Sequence, residues 1–299
     1  MINMRKILAL AVMAIMAVAV MHAATVSNDY FTLSTPDDSW TVSTDPSMHA
    51  IGTRVMVQRG SSRGISELAR IDVIAAPFSP AGYIESQAVG RRDPFCREAQ
   101  QLSAVADTTF AGRPAKRVTF TKQSHGTTYQ CAAIAFNAGF NTFYVVTGRR
   151  SNLPDVVGAV AGEMKFKCDT ARLATVVQYV RAAKGVLAKH NMQIADNEYL
   201  DNVEMTDSQT LELEVMIPYL TRQTVNVTAF VQQMRERWFS TLPSAYRLNL
   251  IIAAAIDEGK RLRYVYTDNR GGEIGTMLIY PQEYAATIGE IRKSAENKQ

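Results

Sequence analysis

Histidine and cysteine are both scarce in this chain, and their scarcity removes several chemistries at once. The four histidines, His22, His49, His125 and His190, fall in separate segments. The three cysteines, Cys96, Cys131 and Cys168, are no closer to one another, and no two stand at the spacing of a metal-ligand pair. No metal is expected. Gly271-Gly272 lies between two strand-like runs and not before a helix, so it makes no phosphate loop, and no cofactor is expected. Charge of one sign is also lacking. The formal net charge is +4, and about +2 once Arg5 and Lys6 are set aside, which gives no reason to expect nucleic acid as a partner.

Long apolar runs are lacking too, with one exception. Ile7 to Met21 carries no charge, follows Arg5 and Lys6, and precedes the small residues Ala23 and Ala24. It is shorter than the ~20 residues of a membrane-spanning helix. The pattern predicts a signal peptide over residues 1–23, removed to leave an exported protein, periplasmic or secreted, with no transmembrane segment. An uncleaved anchor is the competing reading. Export would place the cysteines in an oxidising compartment, where one disulfide and one buried thiol account for three residues. Three pairings are possible. Cys131 sits mid-strand in an apolar run and is read as the buried thiol, leaving Cys96 with Cys168; all three could equally be free and buried.

Beyond the leader, periodicity predicts two domains of α+β class. Residues 24–168 alternate apolar and polar residues in run after run: Arg54–Arg59, Arg70–Ala75, Ala115–Lys122, Thr127–Phe136 and Asn141–Thr147. Ser124-His125-Gly126 marks a hairpin, and Ser79-Pro80 opens a helix to about Val89. This is a mostly antiparallel sheet flanked by helices. Residues 169–291 predict a smaller helix-on-antiparallel-sheet domain. It opens with a helix capped by Asp169 and continues through the strand at Leu211–Ile217. Two helices follow, Val227–Ser240 and Ser244–Glu258, then the strands Arg261–Thr267 and Glu273–Tyr280. Residues 292–299 are expected to form a flexible tail.

Two local motifs carry a family resemblance. Phe31-Thr32-Leu33-Ser34-Thr35-Pro36 closing on Trp40, and Phe110-Ala111-Gly112-Arg113-Pro114-Ala115, make the first half similar to the PsbP-like fold of DcrB-type envelope proteins. The resemblance implies a sheet sandwiched between helices and a role as a protein-binding or assembly factor. It implies no catalytic set. The second half resembles uncharacterised secreted bacterial α+β domains.

Residues that could carry chemistry are few. Glu212 and Glu214 share one side of a strand at a separation glycosidase carboxylates can adopt, and a Cys131–His125 pair is conceivable, but solvated strand charges and a core thiol are the plainer readings. Arginine is the one skew: residues 24–168 hold eleven Arg against four Lys, with doublets at Arg91-Arg92 and Arg149-Arg150. Guanidinium forks suit carboxylates, phosphates and protein interfaces, and solvated loop charge is the alternative. The leading expectation is an exported non-catalytic accessory protein that binds another protein. The second is a binder of small ligands or anionic glycans using these four arginines, and the third is a hydrolase.

Overall fold

The computed structural model describes residues 24–45, 52–61, 64–124, 126–167, 173–188, 192–195 and 197–296. The signal-peptide segment, His125, Cys168 and Asp169 lie outside them. The chain is α+β, built on three sheets and, among the described residues, six α-helices.

The largest sheet is an antiparallel array of seven strands: β3 (Trp40–Asp45), β4 (Gly52–Ser61), β5 (Gly64–Ile74), β6 (Ala106–Phe110), β7 (Arg113–Ser124), β8 (Thr127–Ala138) and β9 (Asn141–Arg150). Their order is β3-β4-β5-β9-β8-β7-β6. Two tight turns fix its register. Ala111 and Gly112 both take positive φ, 48° and 70°, as a two-residue hairpin with right-handed strand twist requires. Strands β7 and β8 pair from Ser124↔Thr127 back to Ala115↔Phe136.

Period-2 alternation gives this sheet two apolar faces. On one, Val55, Val57, Ala69, Ile71, Ile134, Phe136, Phe143 and Val145 pack beneath a small sheet of β1 (Thr25–Ser27), β2 (Phe31–Ser34) and β10 (Lys165–Phe166) and helix α2 (Val156–Gly162). On the other, Val118, Phe120, Ala133, Ala135, Tyr144 and Val146 lie under helix α1 (Pro80–Ile84). Ser79 caps α1, and a π-helical turn, Glu85–Val89, continues it, so helical structure spans the segment the sequence predicts. The π turn closes with Gly90 N–H donating to the Glu85 carbonyl at 2.8 Å. A Cβ at Gly90 would stand 2.7 Å from the Ser86 oxygen, so the turn needs glycine.

The remaining strands, β11 (Met192–Ala195), β12 (Glu198–Asp207), β13 (Thr210–Met216), β14 (Arg261–Thr267) and β15 (Glu273–Ile279), form one sheet in chain order. Strands β13 and β14 run parallel. Two helices make the crossover between them, α4 (Val227–Leu248) and α5 (Leu250–Asp257). Helix α3 (Val176–Leu187) and helix α6 (Pro281–Glu296) complete the layer on this sheet.

Several elements depart from the sequence reading. Helix α3 starts at Thr175, whose hydroxyl accepts from the Gln178 N–H while the Gln178 side chain accepts from the Thr175 N–H, a complete capping box. Pro243 does not break the helix predicted to end at Ser240. It sits inside α4, next to fully buried Leu242, and the break falls at Asn249, whose side chain accepts from the Ile251 and Ile252 N–H groups. The expected tail at 292–299 is helical through Glu296. Ile291 is buried, and Arg292 donates to Asp257 at 2.6 Å and to the Tyr246 hydroxyl at 3.3 Å.

The two large sheets are joined by a hydrogen-bonded seam. Phe78 and Asn249 form an antiparallel bridge, with Ser79 N–H to Leu248 O at 2.8 Å and Leu250 N–H to Pro77 O at 2.9 Å. Gly82 of α1 lies so near α4 that a Cβ there would be 2.9 Å from the Arg247 oxygen. Buried residues from both halves belong to one contiguous core, from Ile74 and Tyr144 through Leu242 and Ile252 to Ile288.

Candidate functional site

The four arginines singled out in the sequence are not brought together. Arg149 and Arg150 end β9, and successive strand residues point to opposite faces. Arg149 lies opposite Glu67 of β5 and donates to the Leu153 carbonyl; it belongs to the face under α2. Arg150 shares the parity of Gly148 and Val146, the face under α1. Arg91 and Arg92 stand in the turn between the π turn and a 3-10 turn at Pro94–Cys96, over that same α1 face, and both are exposed. The structure adds Arg97, which has no arginine neighbour in sequence and is exposed on the far side of the 3-10 turn.

Asp93 holds this loop. Its side chain is almost wholly buried, caps the 3-10 turn by accepting from the Phe95 N–H at 2.9 Å, and takes both arms of the Arg70 guanidinium at 3.0 and 2.5 Å. Arg70 also stands 3.1 Å from Asp72, which binds Arg54 at 2.7 and 3.2 Å. The register explains the cluster: Arg54 and Asp72 are direct partners across β4 and β5, and Asp72 faces Tyr144 across β5 and β9. Burial by itself would raise the Asp93 carboxyl. The Arg70 guanidinium and the Phe95 N–H outweigh it and hold the group below the usual carboxylate range. Burial likewise opposes the charge on Arg70, and its carboxylate partners more than restore it. Arg91 takes φ 55°, a left-handed conformation a non-glycine residue holds only where its surroundings impose it.

The outward arginines differ from the inward ones in charge balance. Asp93 and Asp72 are consumed by Arg70 and Arg54, and among the described residues Arg91, Arg92 and Arg97 form no ion pair. Arg91 makes one long bond, 3.4 Å, to the Ala99 carbonyl. Three guanidiniums therefore stand on one loop without a carboxylate partner among the described residues.

Two of the three cysteines, Cys96 and Cys131, lie beneath this loop. Cys96 and Cys131 are free and buried in one core, and Cys96 Sγ is 3.7 Å from the Tyr144 hydroxyl. Cys131 is the buried thiol that the sequence predicts. Cys96 is buried as well, and its expected pairing with Cys168 lies outside the described residues. Burial pushes the Cys96 thiol up to about 11 and the Cys131 thiol up to about 12. Thiol titration of the native protein should therefore find neither one reactive on the timescale of exposed thiols. Unfolding without reductant should release at least two. Fewer than two would show that Cys96 or Cys131 is oxidised.

Glu212 and Glu214 lie on the polar face of the second sheet. Glu212 is neutralised by Arg263 at 2.8 Å. The Glu214 carboxyl is raised, first by burial and then by Asp201, Glu212 and Glu204. Tyr264 and Tyr266 pack on the apolar face as their parity with Leu262 requires, their rings stacked at 6.4 Å. His125 lies outside the described residues, so the Cys131–His125 pair falls outside them too.

No family model matches the chain, and no curated protein is similar to it. Among solved structures it is similar to a protein from Bacteroides thetaiotaomicron, with 11% identity and a TM-score of 0.36, over 51% of this chain and 52% of that one. The chain thus spans about half the length of that structure. Cyanobacterial PsbP (CyanoP) from Synechocystis matches over 50% of this chain and 95% of its own, with 11% identity and a TM-score of 0.37. LpqN, involved in cell envelope biogenesis of Mycobacterium tuberculosis, matches over 50% and 87%, with 12% identity and a TM-score of 0.31.

Proposed function

We propose that the chain is an exported accessory protein, non-catalytic, which binds a protein partner through the loop at residues 91–97. The observation that supports this most is the open charge of Arg91, Arg92 and Arg97 on a backbone fixed by the buried Asp93–Arg70 pair. A flexible loop would lose conformational entropy on binding. This one has already lost it in folding, so more of the contact energy remains for the partner. Arginine forks hydrogen-bond carboxylates in pairs, so the partner presents an acidic segment. Export to the periplasm or beyond rests on the leader at residues 1–23, and the PsbP-like reading of residues 24–168 accords with an accessory role.

A second reading uses the same arginines for a small anion or an anionic glycan. Both are tested by affinity capture from envelope and secreted fractions with wild-type protein and the Arg91→Glu/Arg92→Glu/Arg97→Glu variant. The protein-binding reading expects a reproducible partner whose affinity falls with salt and drops about tenfold or more in the variant. Retention on an immobilised polyanion, with no protein recovered, would support the second reading. A partner bound equally by both proteins would remove the loop from either.

A further inference from the structure

Residues 91–101 cross the sheet face under α1 from β5 to β7 as a strap with two sides. Asp93, Cys96 and Ala99 are buried at intervals of three, while Arg91, Arg92, Pro94, Arg97 and Glu98 are exposed. Cys96 N–H donates to Asp93 O at 3.0 Å and Ala99 N–H to Cys96 O at 3.1 Å. These bonds lie within the strap, so they survive its leaving the sheet. Both ends are strained. Arg91 and Gln101 take φ 55° and 51°, a left-handed region that a residue with a side chain enters at a cost, and lifting the strap relieves it.

Asp93 latches the strap to Arg70 of β5, and Gln100 exchanges two backbone bonds of 2.8 Å with Thr121 of β7. Between them Phe95 acts as a plug. A Cβ at Gly148 would stand 3.2 Å from the tip of the Phe95 ring and 3.5 Å from Cys131 Sγ, so the ring fills the notch that glycine leaves in β9. Cys131 lies directly across from both Gly148 and Phe120, and the Phe95 ring meets Phe120 edge-on at 6.3 Å. The cover over Cys131 therefore belongs to the strap, and so does Cys96, whose Sγ rests 3.7 Å from the Tyr144 hydroxyl. Glu98 reaches Lys122 at 3.5 Å, but its carboxylate is 72% exposed and adds little to the hold.

We infer that residues 91–101 lift as one body and gate the two thiols beneath them. Opening breaks the Asp93–Arg70 pair and the Gln100–Thr121 bridge and withdraws Phe95 from its notch, while the seven strands stay paired. That is far less than global unfolding demands, so the open form is reached well before the sheet melts. A thiol-reactive electrophile or an oxidant meets Cys96 and Cys131 in the open form and not in the closed one. The gate depends on how the strap is attached and not on what its arginines bind, so it and the protein-binding reading can fail separately.

The test uses the full chain, reduced, freed of reductant and kept native in excess iodoacetamide. Peptide mass spectrometry follows alkylation at Cys96 and Cys131 separately, and hydrogen exchange at the β9 amides gives the global unfolding constant. Both thiols should react in parallel, about tenfold or more faster than global unfolding permits, with little dependence on added denaturant. Asp93→Asn removes the charge from the latch and should speed both about tenfold or more. Gln101→Gly leaves the latch intact and accepts the left-handed backbone without penalty, so it should slow both about twofold or more. Alkylation no faster than global unfolding, with the same denaturant slope, would overturn the inference. So would a Cys131 rate indifferent to Asp93→Asn and Gln101→Gly, or a response at one cysteine without the other.

Discussion

Asp93→Ala is expected to destabilise the fold by about 3 kcal/mol, the lower end of the range for removing one partner of a buried ion pair, because Asp72 still stands 3.1 Å from the Arg70 left behind. The geometry places this variant in that range. Asp93 is 3% exposed, it receives both arms of Arg70, and it caps the turn that carries Arg91, Arg92 and Arg97. Asn at the same position keeps the cap and loses the charge, so Asp93→Asn should fall between wild type and alanine. The pair also gives a pH signature. The Asp93 carboxyl is held below its ordinary value of 3.8 in the folded state. Its contribution is therefore fully present above the unfolded-state value and is lost as pH falls through the lower, folded one. Denaturant titrations from pH 6 down to pH 2 should show wild type losing stability below about pH 4 while Asp93→Ala loses less. Equal slopes for the two proteins would show that the pair carries none of the acid sensitivity.

Thr142→Val should cost about 2–3 kcal/mol and should loosen both halves of the molecule together. Thr142 is fully buried, and its hydroxyl donates to Ala76 O at 2.7 Å while accepting from Phe78 N–H at 2.8 Å. Asn137 supports the same strip by donating to Phe78 O at 3.0 Å. Valine matches the shape but removes the 2.7 Å bond to Ala76 O and leaves the Phe78 N–H only its longer bond to the Ala76 carbonyl, at 3.2 Å, which is where the cost arises. The strip it holds is the one that bridges to Leu248–Leu250, so its failure reaches the second sheet. Scanning calorimetry should show one transition for wild type, because a single core spans both sheets. Two resolved transitions would mean that the seam contributes little. In that case Thr142→Val would lower only the first.

Most strands were legible because their alternation is uninterrupted. The β7–β8 hairpin, β14 and β15 fall within a few residues of the predicted ranges. Strand β12 was not seen, and its register shows why: bulges between Leu200 and Asn202 and between Met205 and Asp207 shift the parity of Glu198–Asp207, so no simple period survives. The parallel β13–β14 pair was not legible either, since direction depends on where α4 and α5 return the chain. At the loop, Arg91 and Arg92 stand out as neighbours in sequence, whereas only the 3-10 turn brings Arg97 to them. Asp93 looks like one more loop acid until β5 places Arg70 beneath it. The Arg237–Glu198 pair was not legible either, since it joins α4 to β12, far apart in sequence.

The Phe78–Asn249 bridge also sets the order in which the molecule can be completed. The seven strands of the first sheet are all present once residue 150 has been made, yet the strip at Pro77–Ser79 finds its partner only when Leu248–Leu250 exists. Contacts this distant in sequence form late, since a long loop must close before they yield anything. During synthesis the first sheet therefore waits, with helix α1 unsupported on its outer side, for the last part of the chain to arrive. In this molecule the earliest half is finished by the latest.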